Sequence, residues 1–356
     1  MKKIKAAILG CNGLVGQQFA RLLDDHPYFE LACLTASPRS AGKRYGEAIA
    51  DGRSPALSEK TRAMAIQATT AAAILSSGAR IVFSALPAPV AAAWETELRR
   101  KGMFVFTNAS SHRMDADVPL LIPEVNAAHL ALVHEQWRES PGFIVTNSNC
   151  SVAGLALALK PLTAFALHTV TVTTFQAISG AGQRGVAAWN ILGNVIPYIG
   201  DEEEKIGREI RKILGTLAGG RVSDHALEIY PSCSRVPVLN GHLQSVSVEF
   251  PRPVEAGAVA AALSAFTAEP QRLALPTAPL RPVLVHANVD RPQPLLDLYA
   301  GEPSRAAGMA VTVGRLRSRG TRCSFFLLVH NTVRGAAGGC VLNAELAMKK
   351  NLLGGK

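Results

Sequence analysis

The sequence predicts an α/β chain in two parts: a doubly wound parallel sheet first, then an α+β unit with a mostly antiparallel sheet. Three observations carry this expectation. Strand-like and helix-like stretches alternate as far as residue 150. Three glycines follow the first strand at once, at positions 10, 13 and 16. Beyond residue 150, β-branched and strictly alternating segments take over.

Residues 5–9 read as the first strand, 10–16 as a tight glycine turn and 15–23 as a helix. Further strands are expected at 29–34, 79–86 and 103–107, with a helix at 89–100 between the last two. This βαβ rhythm implies parallel strands covered by helices. Residues 143–146 look like a later strand of the same sheet. After Cys150, 151–160 reads as an apolar helix stopped by Pro161, and 169–176 as a β-branched strand. Segments 245–250 and 310–316 alternate, and 323–330 follows 310–316 across Ser318-Arg319-Gly320, which suggests antiparallel strands with one buried face. Residues 201–214 form a charged helix. The last helix spans 335–353, with Lys349 and Lys350 in a final turn whose dipole suits positive charge. The boundary between the two domains falls near Cys150, with 1–149 on one side and 150–330 on the other.

A chain of 356 residues, 48% hydrophobic and 18% charged, is long enough for two compact domains. No apolar run approaches the roughly 18–20 residues of a membrane helix. The basic start MKKIKAAILG resembles a signal peptide, but glycines follow it with no small-residue cleavage site, so a strand and a cytoplasmic location are expected. The net charge of +10 is spread out, with no basic tract, zinc finger or basic-aromatic stripe. Nucleic acid is therefore not the expected partner; anionic small molecules are. The six cysteines form no CxxC pair and no zinc-like cluster with histidine, so no metal is expected.

Gly10-Cys11-Asn12-Gly13-Leu14-Val15-Gly16 joins a strand to a helix, the context a dinucleotide loop needs. Glycine allows the turn and lets backbone approach a pyrophosphate at the helix N-terminus. The spacing GxxGxxG departs from the strict fingerprint, and an ordinary glycine turn is the competing reading. The second strand runs into Thr35-Ala36-Ser37-Pro38-Arg39-Ser40-Ala41-Gly42-Lys43, with no acid for ribose hydroxyls. Hydroxyls with Arg39 and Lys43 suit a 2′-phosphate, so a Rossmann-like domain for NADP is expected. A basic surface loop is the alternative.

Asn147-Ser148-Asn149-Cys150-Ser151 places Cys150 at the start of a helix, with Ser148 or Asn149 as its cap. Helix N–H groups there stabilise a thiolate and lower its pKa, and they also stabilise an oxyanion on a bound carbonyl. The competing reading is a buried cysteine in a capping turn. Among nine histidines, His242 stands out as a base. It follows the Asn240-Gly241 turn, at the start of the alternating strand.

Together these blocks resemble the aspartate-β-semialdehyde dehydrogenases of the archaeal and fungal type, over nearly the whole chain. The resemblance includes Phe83-Ser84-Ala85-Leu86-Pro87, Asn108-Ala109-Ser110-Ser111-His112-Arg113-Met114 and Ile122-Pro123-Glu124-Val125-Asn126. It continues through Ser148-Asn149-Cys150, Gln176-Ala177-Ile178-Ser179-Gly180-Ala181-Gly182, Gly200-Asp201-Glu202-Glu203-Glu204-Lys205, residues 235–242 and Asn331-Thr332-Val333-Arg334-Gly335. It implies Cys150 as nucleophile, His242 as acid/base and Gln176 as the group orienting the acyl carbonyl. It implies that Arg113 and Lys205 hold phosphate, Arg235 the substrate carboxylate and Glu202 its amino group, although Glu203 and Glu204 stand beside Glu202. Ser37, Arg39 and Ser40 match the adenosine-phosphate pocket; Gly10, Asn12, Gly13, Leu14, Val15, Ser84, Ser179, Gly180 and Asn331 match the rest of the NADP site. Cys11-Asn12 replaces the usual Ala-Thr, and Ser151-Val152 follows the nucleophile where Thr is commoner.

The resemblance implies NADPH-dependent reduction of L-4-aspartyl phosphate to L-aspartate 4-semialdehyde through a thioester, in the pathway to lysine, threonine, methionine and isoleucine. It also implies a dimerisation role for 150–330, a homodimer or homotetramer, and a last segment, 331–356, that returns to the nucleotide domain. The rivals are malonyl-CoA reductase on the same scaffold, the more distant N-acetyl-glutamyl-phosphate reductase, and a non-catalytic NADP-binding homologue.

Overall fold

The computed structural model describes residues 2–49 and 56–354. The final two residues of the segment expected to return to the nucleotide domain lie outside them.

The first sheet has seven parallel strands in the order β3-β2-β1-β4-β5-β7-β6. They are β1 (Ile4–Leu9), β2 (Phe29–Ala36), β3 (Ile66–Ala68), β4 (Ile81–Ser84), β5 (Phe104–Thr107), β6 (Leu120–Leu121) and β7 (Phe143–Asn147). The central strands are apolar on both faces because helices cover both. Ile8, Phe83, Phe106 and Val145 pack on one side with Phe19 and the C-terminal residues Cys340 and Leu342. Leu9, Val82, Val105 and Ile144 pack on the other with Ile74 and Leu98. The expected strand at 79–86 contracts to β4, because Gly78 turns the chain with positive φ and Pro87 caps the helix Ala88–Arg100. Strand order reverses between β1 and β4, which opens a crevice at their C-terminal ends.

A small antiparallel hairpin, β9 (Thr216–Ala218) and β10 (Arg221–Ser223), stands apart from the second sheet. That sheet comprises β8 (Thr169–Gln176), β11 (Glu228–Arg235), β12 (His242–Glu249), β13 (Val283–His286), β14 (Val311–Arg319) and β15 (Arg322–Val329), in the order β11-β8-β12-β15-β14-β13. The four inner strands pair antiparallel, while both edge strands pair parallel, so the sheet is mixed. Proline, which has no amide hydrogen to give a ladder, is tolerated in β11 because that strand lies at the edge. The turn between β14 and β15 sits at Gly320-Thr321, slightly later than expected.

The helix Cys150–Leu159 runs between the sheets and is buried almost all round, as its unbroken apolar sequence requires. Pro161 sits in a 3₁₀ turn that follows it. The last helix begins at Gly338 rather than 335, after a π-turn at Val333–Ala337, and ends at Lys349. It packs on the first sheet. Arg334 in the π-turn and Glu124 form a fully buried bidentate pair, with contacts of 2.8 and 2.6 Å. Two motif blocks 210 residues apart thus meet in one interaction.

Candidate active site

Cys150 is the first residue of its helix, directly after β7. Asn149 is the cap: its Oδ1 accepts from the Ser151 and Val152 amides at 2.8 and 3.3 Å. Ser148 does not cap, and its buried hydroxyl has no hydrogen-bond partner among the described residues. The π-turn presses against the cysteine from behind. A Cβ at Gly335 would lie 2.8 Å from both Cα and Cβ of Cys150, closer than packed carbons approach. Gly335→Ala is therefore expected to destabilise the protein by about 1–3 kcal/mol through overpacking and to displace the nucleophile. Urea unfolding together with Cys150 alkylation rates checks this.

His242 opens β12, and its Nε2 lies 3.2 Å from Cys150 Sγ. The ring is completely buried. Burial pushes its pKa down to about 3, helped by the charge of Arg235 and by His330, against a smaller opposing effect of the Gly241 backbone. The thiol differs from the sequence expectation. The Ser151 amide, Arg113 and Arg235 favour the thiolate, but burial and the neighbouring Glu202 outweigh them and push the pKa up to about 12. Loss of water around the sulfur outweighs the helix N-terminus in the unliganded protein.

His330 behaves like His242, also lowered to about 3 by burial and then Arg21. Both rings bind a proton more tightly unfolded, near pH 6.5, than folded. Their contribution to stability is complete above that pH and is lost as pH falls toward 3. The thermal midpoint is accordingly expected to be lower at pH 5 than at pH 7, and replacing His330 with Asn should flatten the difference.

Charged groups ring the dyad. Glu202, the first residue of the helix Glu202–Leu214, is buried; its Oε1 accepts from Gln176 Nε2 at 3.0 Å and Asn149 Nδ2 at 2.9 Å. Glu203 instead accepts from the Cys233 amide, and Glu204 is exposed, so Glu202 is the acid that faces the site. Arg235 closes β11 and donates to the Ala177 carbonyl at 2.8 Å. Arg113 reaches the cleft from the loop after β5, held by Glu209 Oε1 at 2.8 Å and the Asn108 carbonyl at 2.7 Å. Lys205 lies half-buried on the same helix, outside the walls of the cleft.

Sequence reading missed Glu209. Its second oxygen accepts from the Asn149 amide at 2.7 Å, so one carboxylate joins the Arg113 guanidinium to the cap of the cysteine helix. The available signal was its spacing of seven from Glu202, two turns along one helix face.

A cleft of about 320 Å³ runs from Cys150 along Arg113, Asn149, Ser179, Gly180 and Asn331 to Gly13, Leu14 and Val15. It occupies the crevice where strand order reverses. Gly10 has positive φ and approaches the Ala85 carbonyl; a Cβ at Gly16 would run into the Gly10 carbonyl. Gly13 caps the helix Leu14–Leu23 without a side-chain hydrogen bond, and Gly13, Leu14 and Val15 line the cleft. This cradle fits a pyrophosphate. Asn12 lies in the same turn, its carbonyl bound by Gln17. Asn331 braces the opposite wall, donating to Ser179 Oγ at 2.8 Å and accepting from the Gly241 amide at 2.8 Å. Ser84 is fully buried, its hydroxyl without a hydrogen-bond partner among the described residues, and the next residue, Ala85, lines the cleft. Ser37 and Arg39 are exposed and Ser40 half-buried on the loop after β2, next to the glycine turn but outside the walls of the cleft.

Comparison with known proteins bears on the fold and on the family. Residues 5–133 match the family described as semialdehyde dehydrogenase, NAD binding domain, and residues 159–334 the semialdehyde dehydrogenase dimerisation domain. An aspartate-semialdehyde dehydrogenase of Methanothermobacter thermautotrophicus is 44% identical over 96% of this chain and 98% of its own. The chain belongs to the aspartate-semialdehyde dehydrogenase family. The crystal structure of the Candida albicans family member with NADP superposes with a TM-score of 0.88 at 36% identity, covering 99% of this chain and 100% of the other. A malonyl CoA reductase (NADP) of Metallosphaera sedula is also related, 37% identical over 99% of both chains. Family membership makes the chain an oxidoreductase of amino-acid biosynthesis with a nicotinamide-nucleotide domain. In aspartate-semialdehyde dehydrogenase terms, the Cys150–His242 pair stands where the nucleotide cleft meets the dimerisation domain.

Proposed function

We propose that the protein catalyses NADPH-dependent reductive dephosphorylation of L-4-aspartyl phosphate to L-aspartate 4-semialdehyde, through a thioester on Cys150. The observation that carries this reading is the 3.2 Å pair of Cys150 and His242 in a cleft that also holds Arg113, with Glu202 and Arg235 close by. Sulfur bonds to the acyl carbon as the carbon–oxygen bond to phosphate breaks, leaving a thioester. Bound NADPH supplies hydride. The carbon–sulfur bond then breaks to release aldehyde, with His242 beside the sulfur throughout. Sulfur suits both halves, since a thiolate attacks and leaves more readily than an alkoxide.

Arg113 and Lys205 hold the departing phosphate, Arg235 the substrate carboxylate, Glu202 its amino group, and Gln176 orients the acyl carbonyl. The glycine turn with Gly10, Asn12, Gly13, Leu14 and Val15 takes the pyrophosphate of NADP; Ser37, Arg39 and Ser40 take its 2′-phosphate; Ser84, Ser179, Gly180 and Asn331 take the remainder. Residues 1–149, joined by 331–356, form the NADP-binding domain, and 150–330 the catalytic and dimerising one. The product feeds synthesis of lysine by way of diaminopimelate, and of threonine, methionine and isoleucine, in the cytoplasm. The face of the second sheet away from its helices carries Thr171, Phe175, Leu243 and Phe326, all at least partly exposed, and suits a homodimer or homotetramer.

The test is a coupled assay. Oxidation of aspartate semialdehyde is expected to require phosphate and NADP⁺, with NAD⁺ a poor alternative, and NADPH-dependent reduction of malonyl-CoA is expected to be slow. Activity with malonyl-CoA alone contradicts the aspartyl assignment, because Glu202 then has no amino group to meet.

A further inference from the structure

We infer that Glu209 and Lys212 are positioning residues of the phosphate site: they tie Arg113, by side chain and by backbone, to the helix Glu202–Leu214, and so set where its guanidinium meets an anion. The inference deepens the phosphate role given to Arg113 above and rests on that reading.

Glu202, Lys205, Glu209 and Lys212 recur along the helix at spacings of three, four and three, so they share one stripe of its surface. Beside it runs an apolar stripe of Ile206, Ile210 and Ile213, packed in the core of the second domain. Glu209 and Lys212 are themselves buried. Charges are retained in such a place only where partners satisfy them.

Glu209 has two acceptor oxygens and two donors to serve. Oε1 accepts from Arg113 Nη1 at 2.8 Å, and Oε2 from the Asn149 amide at 2.7 Å. Both partners can only donate, so a carboxylate fits where a carboxamide does not. Lys212 Nζ donates to the carbonyls of Arg113, Asp115 and Val118 at 2.8, 2.8 and 3.2 Å, which leaves none of its three hydrogens for a ligand. One helix therefore holds the arginine twice, Glu209 by the guanidinium and Lys212 by the backbone.

The loop is tied on its other side too. The Asn108 carbonyl accepts from Arg113 Nη2 at 2.7 Å, and Asn108 Oδ1 accepts from Asn147 Nδ2 at 3.0 Å at the end of β7. Two buried donors remain without a partner among the described residues, Arg113 Nε and Asn108 Nδ2. Both residues line the cleft with Cys150. Such donors call for a ligand that accepts, as phosphate oxygens do.

Geometry and charge predict opposite effects at Glu209. In Glu209→Gln the single amide oxygen serves one donor, and the NH₂ group confronts the other. The Asn149 amide is fixed in the backbone between β7 and the cysteine helix, so the Arg113 side chain is the partner that moves. Displaced, it holds phosphate less well. Loss of the carboxylate's negative charge acts the other way and favours a nearby anion.

Phosphorus-31 NMR titration of the full-length protein with inorganic phosphate, without substrate, separates the two. Arg113→Met marks loss of the site. Glu209→Gln is expected to weaken phosphate binding about tenfold or more, the effect of one hydrogen bond to a charged group, while NADP⁺ binding by calorimetry stays within about twofold. Glu209→Asp, which keeps both acceptors, should retain more phosphate affinity than Glu209→Gln. In the coupled assay the same order should appear in KM for phosphate, with KM for NADP⁺ unmoved; a general loss of structure lowers kcat and the thermal midpoint instead. Phosphate affinity unchanged or tighter in Glu209→Gln overturns the proposal, as does equal weakening of NADP⁺ or a wild type that binds no phosphate. Should that variant not fold, Lys212→Met carries the same expectation and the same reversal, because it frees the Arg113 backbone without touching the guanidinium. The titration uses no aspartyl substrate, so failure of the aspartyl reading in the coupled assay is distinguishable from failure of this one.

Discussion

Cys150→Ser is expected to fold like the parent and to lose kcat by a factor on the order of 10⁴ or more. The substitution exchanges sulfur for oxygen at the floor of the cleft and leaves the Asn149 cap and the Gly335 contact in place. What changes is chemistry. A hydroxyl ionises far less readily than a thiol, and the ester it would form is a poorer hydride acceptor with a poorer leaving group. An unchanged thermal midpoint with activity at background is the expected pair of results. Activity within tenfold of the parent would mean that the reaction does not depend on a thioester at this position.

The largest effect on stability is expected at Glu124. Its carboxylate is completely buried and meets the Arg334 guanidinium with two hydrogen bonds. Glu124→Gln leaves that guanidinium charged, buried and without a counter-ion, which costs about 3–5 kcal/mol. The result should appear as a lower urea midpoint with an unchanged slope. Joint replacement, Glu124→Met with Arg334→Met, should recover most of the loss, because the desolvation penalty disappears with both charges. Since Arg334 precedes Gly335, which packs on Cys150, the single variant should also lose activity more steeply on warming than the parent. Equal stability of Glu124→Gln and wild type would show that the pair carries no structural weight.

The parts of this molecule that depend on local pattern were legible in the sequence. The glycine turn, β8, β12 and the helix Glu202–Leu214 follow from periodicity and turn chemistry, and the start of β12 located His242. The edge strand β11 was not legible, because Pro231 argues against a strand and only the edge position in the finished sheet permits it. Residues that matter through distant neighbours were equally hidden. Glu209 gains its meaning from Arg113, 96 residues away, and Gly335 from its approach to Cys150. The thiol shows the same limit. Its helix N-terminus is visible in the residue order, but the burial that reverses the expected pKa shift belongs to the packed site.

The thioester itself is the claim on which the proposed function turns. Mixing enzyme with aspartate semialdehyde and NADP⁺ in the absence of phosphate should release one NADPH per active site and stop. Intact and peptide mass measurement should then find an aspartyl group on Cys150, discharged when phosphate is added and absent from Cys150→Ser. Continued NADPH formation with Cys150 unmodified, or an acyl group on another residue, would contradict a mechanism through this thiol.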